Sequence, residues 1–509
     1  MIAEPLAGLA TQEGARPDVR VAAPMPKAVP TAAERLVRNC ARAALYLSLI
    51  ATGVALKLLL LLAHPPVPPE MRHIEELQKM WSGVDFLALP EVRLLRDYIA
   101  IDTSEPDANE IPGAEFLAAH LAAAGLEPHI ERLADGHANV WAFVEGEDPK
   151  AIVLSGHIDV EPAEGPGTWD YPPFGGVIEG PWMYGRGIYD MKSLTIAQLL
   201  APADVAREAA KTGRRPKRSI LFLATSSEET GSEIGTRWIL RGHPELVERM
   251  GVVLTEGGVV EATSANEVKY WGIEFAQKRF IEIVFCSADA GKLAALRKVL
   301  TDRATDPVIP VSPSVALFLT RYGPTRGLGS YQAWLADPPA TLRNRPQFDR
   351  LTPFMKSLFR NELMPFAVEP DPAGGYRLRV FAHLLPEADR DAVLAELLPE
   401  SVTLGTVFHI GEDAGARHAS PVDSADFRAL ERAIAAQVPG TAVGPYFLPW
   451  TATDARFYRA AGIPSYGFSP FLIAVTDTMG IGRANERMPM PGFVQGVATY
   501  RQLVKELAN

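Results

Sequence analysis

The stretch AIVLSGHIDV (residues 151–160) begins as an apolar strand and ends in a histidine and an aspartate, His157 and Asp159. Two further short runs, SILFLAT (219–225) and GVVLT (251–255), have the same apolar character. Strands that are apolar throughout are typical of a sheet buried on both faces. We therefore expect an α/β fold with a mostly parallel sheet and helices on both faces.

Acidic side chains follow these strands. Glu228 and Glu229 come after the second run, Glu256 comes after the third, and Asp190 stands ahead of a predicted helix in YGRGIYDMKS. The carboxyl ends of parallel strands share one edge, where open α/β folds place their ligands. Carboxylates gathered around an imidazole repel one another unless a cation lies among them. Such oxygen and nitrogen ligands suit Zn²⁺, Mn²⁺ or Co²⁺, either as one ion or as a pair about 3.5–4 Å apart.

Composition excludes several other classes. The chain has 509 residues, enough for two or three domains, and an ordinary 47% of apolar residues. Its formal net charge of -11 makes it a poor nucleic-acid binder, because duplex binding depends on neutralising phosphates. Cys40 and Cys286 are the only cysteines, so neither a disulfide framework nor a thiolate metal site is expected.

The pattern changes from about residue 265. FIEIVF (280–285) and YRLRVFAHLLP (376–386), each followed by a predicted helix, indicate a small α+β unit inserted into the main domain. The sequence predicts these divisions: a disordered tail over 1–42, an apolar segment over 43–63, a linker with a helix over 64–89, the catalytic domain over 90–264 and 404–509, and an inserted lid, also a candidate dimerisation surface, over 265–403.

The apolar segment 43–63 carries one charge, Lys57, and is long enough to cross a bilayer. Arg35, Arg38 and Arg42 precede it and favour a cytoplasmic amino-terminal side. We expect a single transmembrane anchor, with the soluble domain on the periplasmic or luminal side. A cleaved signal peptide and a buried amphipathic helix are the alternative interpretations.

The segment SGHIDVEPAEGPGTWDYPPFGGVIEGPWMYGRGIYDMKS (155–193) resembles the signature of the co-catalytic metallopeptidases. That family includes carboxypeptidase S, aminoacylase, acetylornithine deacetylase and succinyl-diaminopimelate desuccinylase. The Trp-Asp-x-Pro-Pro-Phe element (169–174) looks most like carboxypeptidase S and the N-fatty-acyl amino acid synthase/hydrolase. The resemblance covers roughly 90–509, weakly over the inserted unit.

The resemblance implies a role for each motif residue. His157, Asp190 and Glu256 would hold one zinc ion, and Asp190 would bridge to a second ion that Glu229 also holds. Glu228 would be the general base, and Asp159 would orient His157. The element TATDARFY (451–458) is similar to a substrate-binding part of the family, which makes Thr453, Asp454 and Arg456 candidates. Arg456 is either a partner for a substrate carboxylate or half of a structural salt bridge.

The chain departs from the family in its last metal ligand. The family places a histidine three residues before an Asn-Glu pair; here the pair is Asn485-Glu486 and the position holds Gly482. The Gly-His-Ser-Ser loop of the family's inserted domain is also missing, which weakens the reason for a homodimer.

Two kinds of function are therefore open. The first is a metallohydrolase that cleaves the amide of an N-acyl amino acid or of a peptide's C-terminal residue, a substrate with a free carboxylate. The second is a degenerate family member with one metal or none, which acts as a binding or scaffold protein or has altered chemistry. The retained base and bridging carboxylate favour the first.

Overall fold

The computed structural model describes most of the chain in two compact units, Met1–Val67 and Pro68–Asn509. The described residues are 31–63, 79, 81–106, 109–163, 168–264, 267–303, 307–326, 338–389, 391–393, 403–409, 418–473, 475–478 and 480–509. Of the disordered tail predicted over 1–42, residues 1–30 lie outside them, whereas residues 32–42 belong to a helix. Most of the helix predicted within the linker 64–89 and most of the helix predicted after residues 376–386 also lie outside the described residues.

The strands are β1 His129–Arg132, β2 Ala138–Val144, β3 Asp148–His157, β4 Val177–Glu179, β5 Trp182–Tyr184, β6 Arg218–Thr225, β7 Met250–Thr255, β8 Val259–Ser264, β9 Glu267–Gln277, β10 Arg279–Ser287, β11 Glu362–Pro370, β12 Tyr376–Leu384, β13 Thr403–His409, β14 Ala442–Leu448, β15 Ser465–Gly467 and β16 Arg487–Pro489. The apolar runs 151–156, 219–225 and 251–255 lie in strands β3, β6 and β7.

The helices lie mainly between these strands. They are α1 Ala32–Ala63, α2 Pro90–Ile99, α3 Ile111–Ala123, α4 Ser193–Thr212, α5 Thr236–Gly242, α6 Pro244–Val247, α7 Ala290–Arg303, α8 Pro313–Tyr322, α9 Pro338–Arg343, α10 Arg345–Asp349, α11 Pro353–Ser357, α12 Ala425–Gln437, α13 Ala455–Ala460, α14 Val475–Thr478 and α15 Met490–Ala508.

The large sheet has the order β1-β2-β6-β3-β7-β15-β9-β14, with β8 paired to β9. Its central strands β6, β3, β7 and β15 run parallel, and antiparallel pairs lie toward the ends. Alternate residues of β3 enter different cores: Ile152 packs in the larger cluster with α4, and Val153 packs with Ile239 of α5. The expected mostly parallel sheet with helices on both faces is confirmed, because each apolar strand is covered on both sides.

A separate antiparallel sheet, β11-β12-β10-β13, forms the small α+β unit together with α7. Strand β9 belongs to the large sheet although it follows residue 265, and β13 belongs to the small sheet although it extends past residue 403. Helix α8 also joins the main core through Phe318 and Leu319. Part of the segment predicted as a lid is thus packed into the main domain.

Helix α1 contains the apolar segment 43–63 that we expected to cross a membrane. The helix begins at Ala32, so the apolar run shares one continuous element with Arg35, Arg38 and Arg42. Among the described residues, no helix has the length and apolar composition needed to span a bilayer. The predicted transmembrane anchor is therefore not supported, and the localisation derived from it stays a prediction.

A buried ion pair joins helix α13 to strand β9 in the main domain. Both terminal guanidinium nitrogens of Arg459 on α13, Nη1 and Nη2, donate to the Glu274 carboxylate of β9, at 2.9 and 2.6 Å. The same guanidinium donates to the Ser465 carbonyl oxygen of β15 and to the Ser420 hydroxyl. Both charged side chains are almost fully buried, so each depends on the other for compensation.

We predict that Glu274→Gln destabilises the protein by about 3–5 kcal/mol, because Arg459 would remain buried without its counter-charge. Thermal and urea denaturation of the full chain measure the change. Asp97→Asn is the control: it removes the carboxylate of the exposed Arg96 pair, and such pairs contribute about 0–1 kcal/mol. Equal melting of Glu274→Gln and the unsubstituted protein would contradict the prediction.

Candidate metal centre

The predicted ligands lie at the carboxyl ends of three adjacent parallel strands. His157 is the last residue of β3 and pairs with Thr225, the last residue of β6. Glu228 and Glu229 follow β6, and Glu256 follows β7. The topology therefore brings together residues that are far apart in the sequence.

The His157 imidazole lies at the centre of this group. Its Nδ1 lies 2.9 Å from the main-chain carbonyl oxygen of Asp159, and its Nε2 lies 3.2 Å from Asp190 Oδ1 and 3.9 Å from Glu256 Oε1. A carbonyl oxygen only accepts hydrogen bonds, so Nδ1 carries a proton and Nε2 faces the carboxylates. Burial disfavours the charged ring, but the Asp159 and Asp190 carboxylates raise the pKa of His157 well above its ordinary value, so a bound cation would replace a proton on Nε2. The ring would then be neutral with its proton on Nδ1. This is the tautomer that a metal ligand requires.

Asp159 fixes the loop that carries the two glutamates. Its carboxylate oxygens accept hydrogen bonds from the main-chain N–H groups of Glu228, at 3.0 Å, and Glu229, at 2.9 Å. Its carboxylate is 3.5 Å from His157 Nδ1, farther than its own carbonyl oxygen. Asp159 thus contacts the histidine mainly through its main chain and positions the glutamates through its side chain.

Asp190 reaches the group from a short π-helical segment, Ile188–Lys192, directly before α4. The following lysine is fully buried, and its ammonium donates to the carbonyl oxygens of Tyr98 and Ile101. Burial lowers the pKa of Lys192 to about 7. The lysine anchors the segment to α2 and the residues after it, so the position of Asp190 depends on that part of the fold.

The glutamates of the cleft resist ionisation. Burial, together with the Asp454 carboxylate, raises the pKa of Glu228 to about 8. Burial and the nearby Asp190 carboxylate raise the pKa of Glu229 and of Glu256 well above the ordinary range. Crowding these groups as anions is costly without a positive charge among them.

The donor set fits divalent cations. His157, Asp190 and Glu229 offer ligand atoms within 4.8 Å of one another, and so do His157, Glu228 and Glu256. The Asp190 side chain is 34% exposed and that of Glu256 is 19% exposed, so the group is open to solvent on one side. Oxygen and imidazole ligands at an accessible sheet edge suit Zn²⁺ or Mn²⁺.

A second buried network, which the sequence did not reveal, supports the same loop. The Glu110 carboxylate accepts hydrogen bonds from the main-chain N–H groups of Ser227, at 3.1 Å, and Ala138, at 3.0 Å. His137 Nδ1 lies 3.0 and 3.2 Å from the hydroxyl oxygens of Ser226 and Ser227. Burial raises the pKa of Glu110 to about 7. No motif marks these residues; only the contact between α3 and the loop identifies them.

Two of the predicted substrate-binding residues, Thr453 and Asp454, form hydrogen bonds that join their segment to the rest of the fold. The Thr453 N–H donates to Gln277 Oε1 of β9 at 3.0 Å, and its carbonyl oxygen accepts from the same amide at 3.1 Å. The Asp454 carboxylate accepts from the Ser232 and Thr236 hydroxyls, the latter at 2.6 Å. Both residues are buried and attach the TATD segment to neighbouring elements.

Arg456 is different, because it faces the cleft. Its guanidinium carbon lies 4.5 Å from the centre of the Phe457 ring, and its positive charge acts on Glu228 and Asp454. Among the described residues it forms no salt bridge, and its buried Nε has no hydrogen-bond partner. The alternative of a structural salt bridge for Arg456 has no support in this part of the chain.

The Asn-Glu pair after Gly482 is fully engaged elsewhere. The Glu486 carboxylate accepts hydrogen bonds from Arg186 and from the main-chain N–H groups of Gly187 and Tyr189. The Asn485 side chain bonds Thr168 and Asp170. These residues secure the segment around Asp190 rather than supply the missing ligand.

Two groups of curated proteins are similar in sequence. Aminoacylase-1A of Rattus norvegicus is 25% identical over 429 residues, which cover 82% of this chain and 96% of the relative. Succinyl-diaminopimelate desuccinylase of Alkalilimnicola ehrlichii is 35% identical over 158 residues, which cover 28% of this chain and 40% of the relative.

Solved structures that share the fold include two that match this chain over almost their whole length. They are an M20 family metallo-carboxypeptidase from Sulfolobus solfataricus, with a TM-score of 0.56 and 15% identity, and human carnosine dipeptidase 1, with a TM-score of 0.54 and 16% identity. The alignments cover 82% and 85% of this chain and 99% of each structure. The model of peptidase family M20/M25/M40 matches residues 153–506, a range that contains every ligand described above. The chain therefore belongs to peptidase family M20/M25/M40, whose peptidases and aminoacylases are hydrolases that act on amide C–N bonds.

Proposed function

We propose that the protein is a metal-dependent hydrolase that cleaves the amide bond of an N-acyl amino acid or of a peptide's C-terminal residue. The observation that carries the proposal is the position of Glu228 in one cluster with His157 and Glu256. A divalent cation held there, most simply Zn²⁺, would lower the pKa of a coordinated water and polarise the amide carbonyl.

Glu228 is placed to move the proton. Its main chain is fixed by Asp159, and its carboxylate accepts no hydrogen bond from the described residues. A bound cation would favour the ionised form of this carboxylate, which could then take a proton from the attacking water and deliver it to the leaving nitrogen as the C–N bond breaks. The products are a carboxylate from the acyl side and a free amine.

Arg456 supports a substrate with a free carboxylate. A guanidinium without a protein carboxylate partner in the described structure, close to the proposed base, can form a bidentate pair with an anionic substrate. The pair would hold the scissile amide near Glu228. The two relatives described above are an aminoacylase and a desuccinylase by name, which agrees with an acylated amino acid as substrate.

A binding or scaffold function is the second candidate, and Gly482 is the observation that favours it. A glycine cannot supply the imidazole that the family resemblance leads us to expect at this position. Activity on any acylated amino acid or peptide would exclude this candidate as the whole function.

We predict that Glu228→Gln lowers kcat for amide hydrolysis by about 10²–10⁴-fold, the range typical of a lost general base, while bound metal is retained. Release of free amine from a panel of N-acyl amino acids and dipeptides, with Zn²⁺ or Mn²⁺ present, measures activity. Glu233→Gln is the matched control, since this exposed residue of the same loop pairs with Arg237 and Arg241. Full activity of Glu228→Gln would exclude Glu228 as the base.

We predict that Glu110→Gln lowers kcat by about 10–100-fold with little change in KM. A glutamine offers one accepting oxygen for the two N–H groups that Glu110 binds, so the loop of Glu228 would shift. The control is Glu115→Gln on the same helix, whose carboxylate forms an exposed pair with Arg132. Parallel losses in kcat and melting temperature without the kcat-to-KM split would indicate a purely structural role.

A further inference from the structure

The position of the missing histidine is not an empty space. Gly482 has a φ of 69°, and a Cβ atom built on it would overlap Oε2 of Glu161 and lie 3.3 Å from its Oε1. The Glu161 carboxylate thus occupies the space where a side chain at residue 482 would begin. The Glu161 carboxylate can lie there because residue 482 has no side chain.

Glu161 follows β3, on the same segment as His157 and Asp159. The charges that act on its carboxylate are those of Arg186 and Asp190. Among the described residues Glu161 forms no hydrogen bond and no ion pair, while Arg186 is committed to Glu486. Glu161 is therefore a carboxylate without a partner in that part of the chain, and its charge interacts with that of Asp190, the residue expected to bridge the two ions. Its carboxylate is outside the group that Asp190 and Glu229 form with His157, so the side chain would have to turn toward them to share an ion.

Four other side chains that could ligate a metal ion make contacts elsewhere: Glu486, Asn485, His383 and His418. Glu486 binds the segment around residue 187, and Asn485 binds the segment around residue 170, as described above. His383 packs against Phe280, with ring centres 3.8 Å apart, and His418 lies 3.6 Å from Glu387. None of these four contacts the cluster around His157.

We propose that Glu161 replaces the missing imidazole as a protein ligand of the second metal ion, together with Asp190 and Glu229. The proposal rests on the metal-dependent function and deepens it. Asp190, Glu229 and Glu161 would then hold the second ion through carboxylates alone. His157, which offers a ligand atom within 4.8 Å of both groups of carboxylates, would serve the first position. Carboxylate ligands suit harder cations, so the second position would favour Mn²⁺ over Zn²⁺ more strongly than an imidazole-containing position does.

Metal titration of the full chain, stripped of metal beforehand, tests this without substrate. We expect two equivalents of Mn²⁺ per unsubstituted chain, measured by elemental analysis and by competition with a chromophoric chelator. Glu161→Gln should bind one equivalent, with the second at least about tenfold weaker. The matched control Glu147→Gln, an exposed glutamate before β3, should bind two. Two tight equivalents in Glu161→Gln, or only one in the unsubstituted chain, would overturn the proposal.

Variants at residue 482 test whether the Glu161 carboxylate and a side chain at residue 482 compete for the same space. Gly482→His alone should not strengthen the second position, because the new Cβ would meet the Glu161 carboxylate. The double variant Glu161→Ala with Gly482→His should regain the second equivalent and shift its preference from Mn²⁺ toward Zn²⁺. Histidine is among the residues that tolerate a positive φ, and circular dichroism and melting temperature verify folding. A gain of Zn²⁺ affinity in Gly482→His equal to that of the double variant would contradict the exchange.

The metal titrations and the hydrolysis assay can fail separately. A chain that binds two ions through Glu161 but cleaves no acylated amino acid or peptide would refute the proposed substrate class and keep the ligand assignment. A chain that cleaves such substrates with two ions bound in Glu161→Gln would do the reverse.

Discussion

Repulsion among buried carboxylates is the constraint on which the site depends. Asp190, Glu228, Glu229 and Glu256 converge on His157 at one edge of the sheet. Burial makes the ionised forms of the three glutamates unfavourable, whereas the pKa of Asp190 is lowered because His157 offsets its burial. A cation offsets this cost by replacing protons with a fixed positive charge. The fold supplies the rest of the support through rigid attachments outside the cluster.

Main-chain hydrogen bonds to buried carboxylates provide those attachments. Asp159 and Glu110 together accept the N–H groups of three consecutive loop residues, Ser227, Glu228 and Glu229. Glu486 does the same for the segment that leads to Asp190. Each acidic anchor thereby fixes the backbone of a functional residue and leaves that residue's side chain free for chemistry.

The loss of the family histidine is better understood as a rearrangement than as decay. A decayed site would be expected to fill or lose its ligands one by one. Here the base and the expected bridging carboxylate remain in place, and the space beside Gly482 holds another carboxylate, Glu161. The difference matters chemically, since exchanging an imidazole for a carboxylate changes which metal the position prefers.

The sequence by itself determined the mostly parallel sheet, the positions of His157, Glu228, Glu229 and Glu256 at or after the ends of β3, β6 and β7, and the family, because apolar strands and the motif over 155–193 are local patterns. The metal-binding role of these residues stays a prediction. The sequence could not reveal Glu110 or Glu161, whose importance comes from contacts with residues far away in the chain. The transmembrane anchor predicted from segment 43–63 is not supported among the described residues, where the segment is part of a longer helix with three arginines. Only the tertiary structure decided which polar groups hold the backbone and which face the cleft, because that depends on how separate elements pack, and no local spacing encodes it.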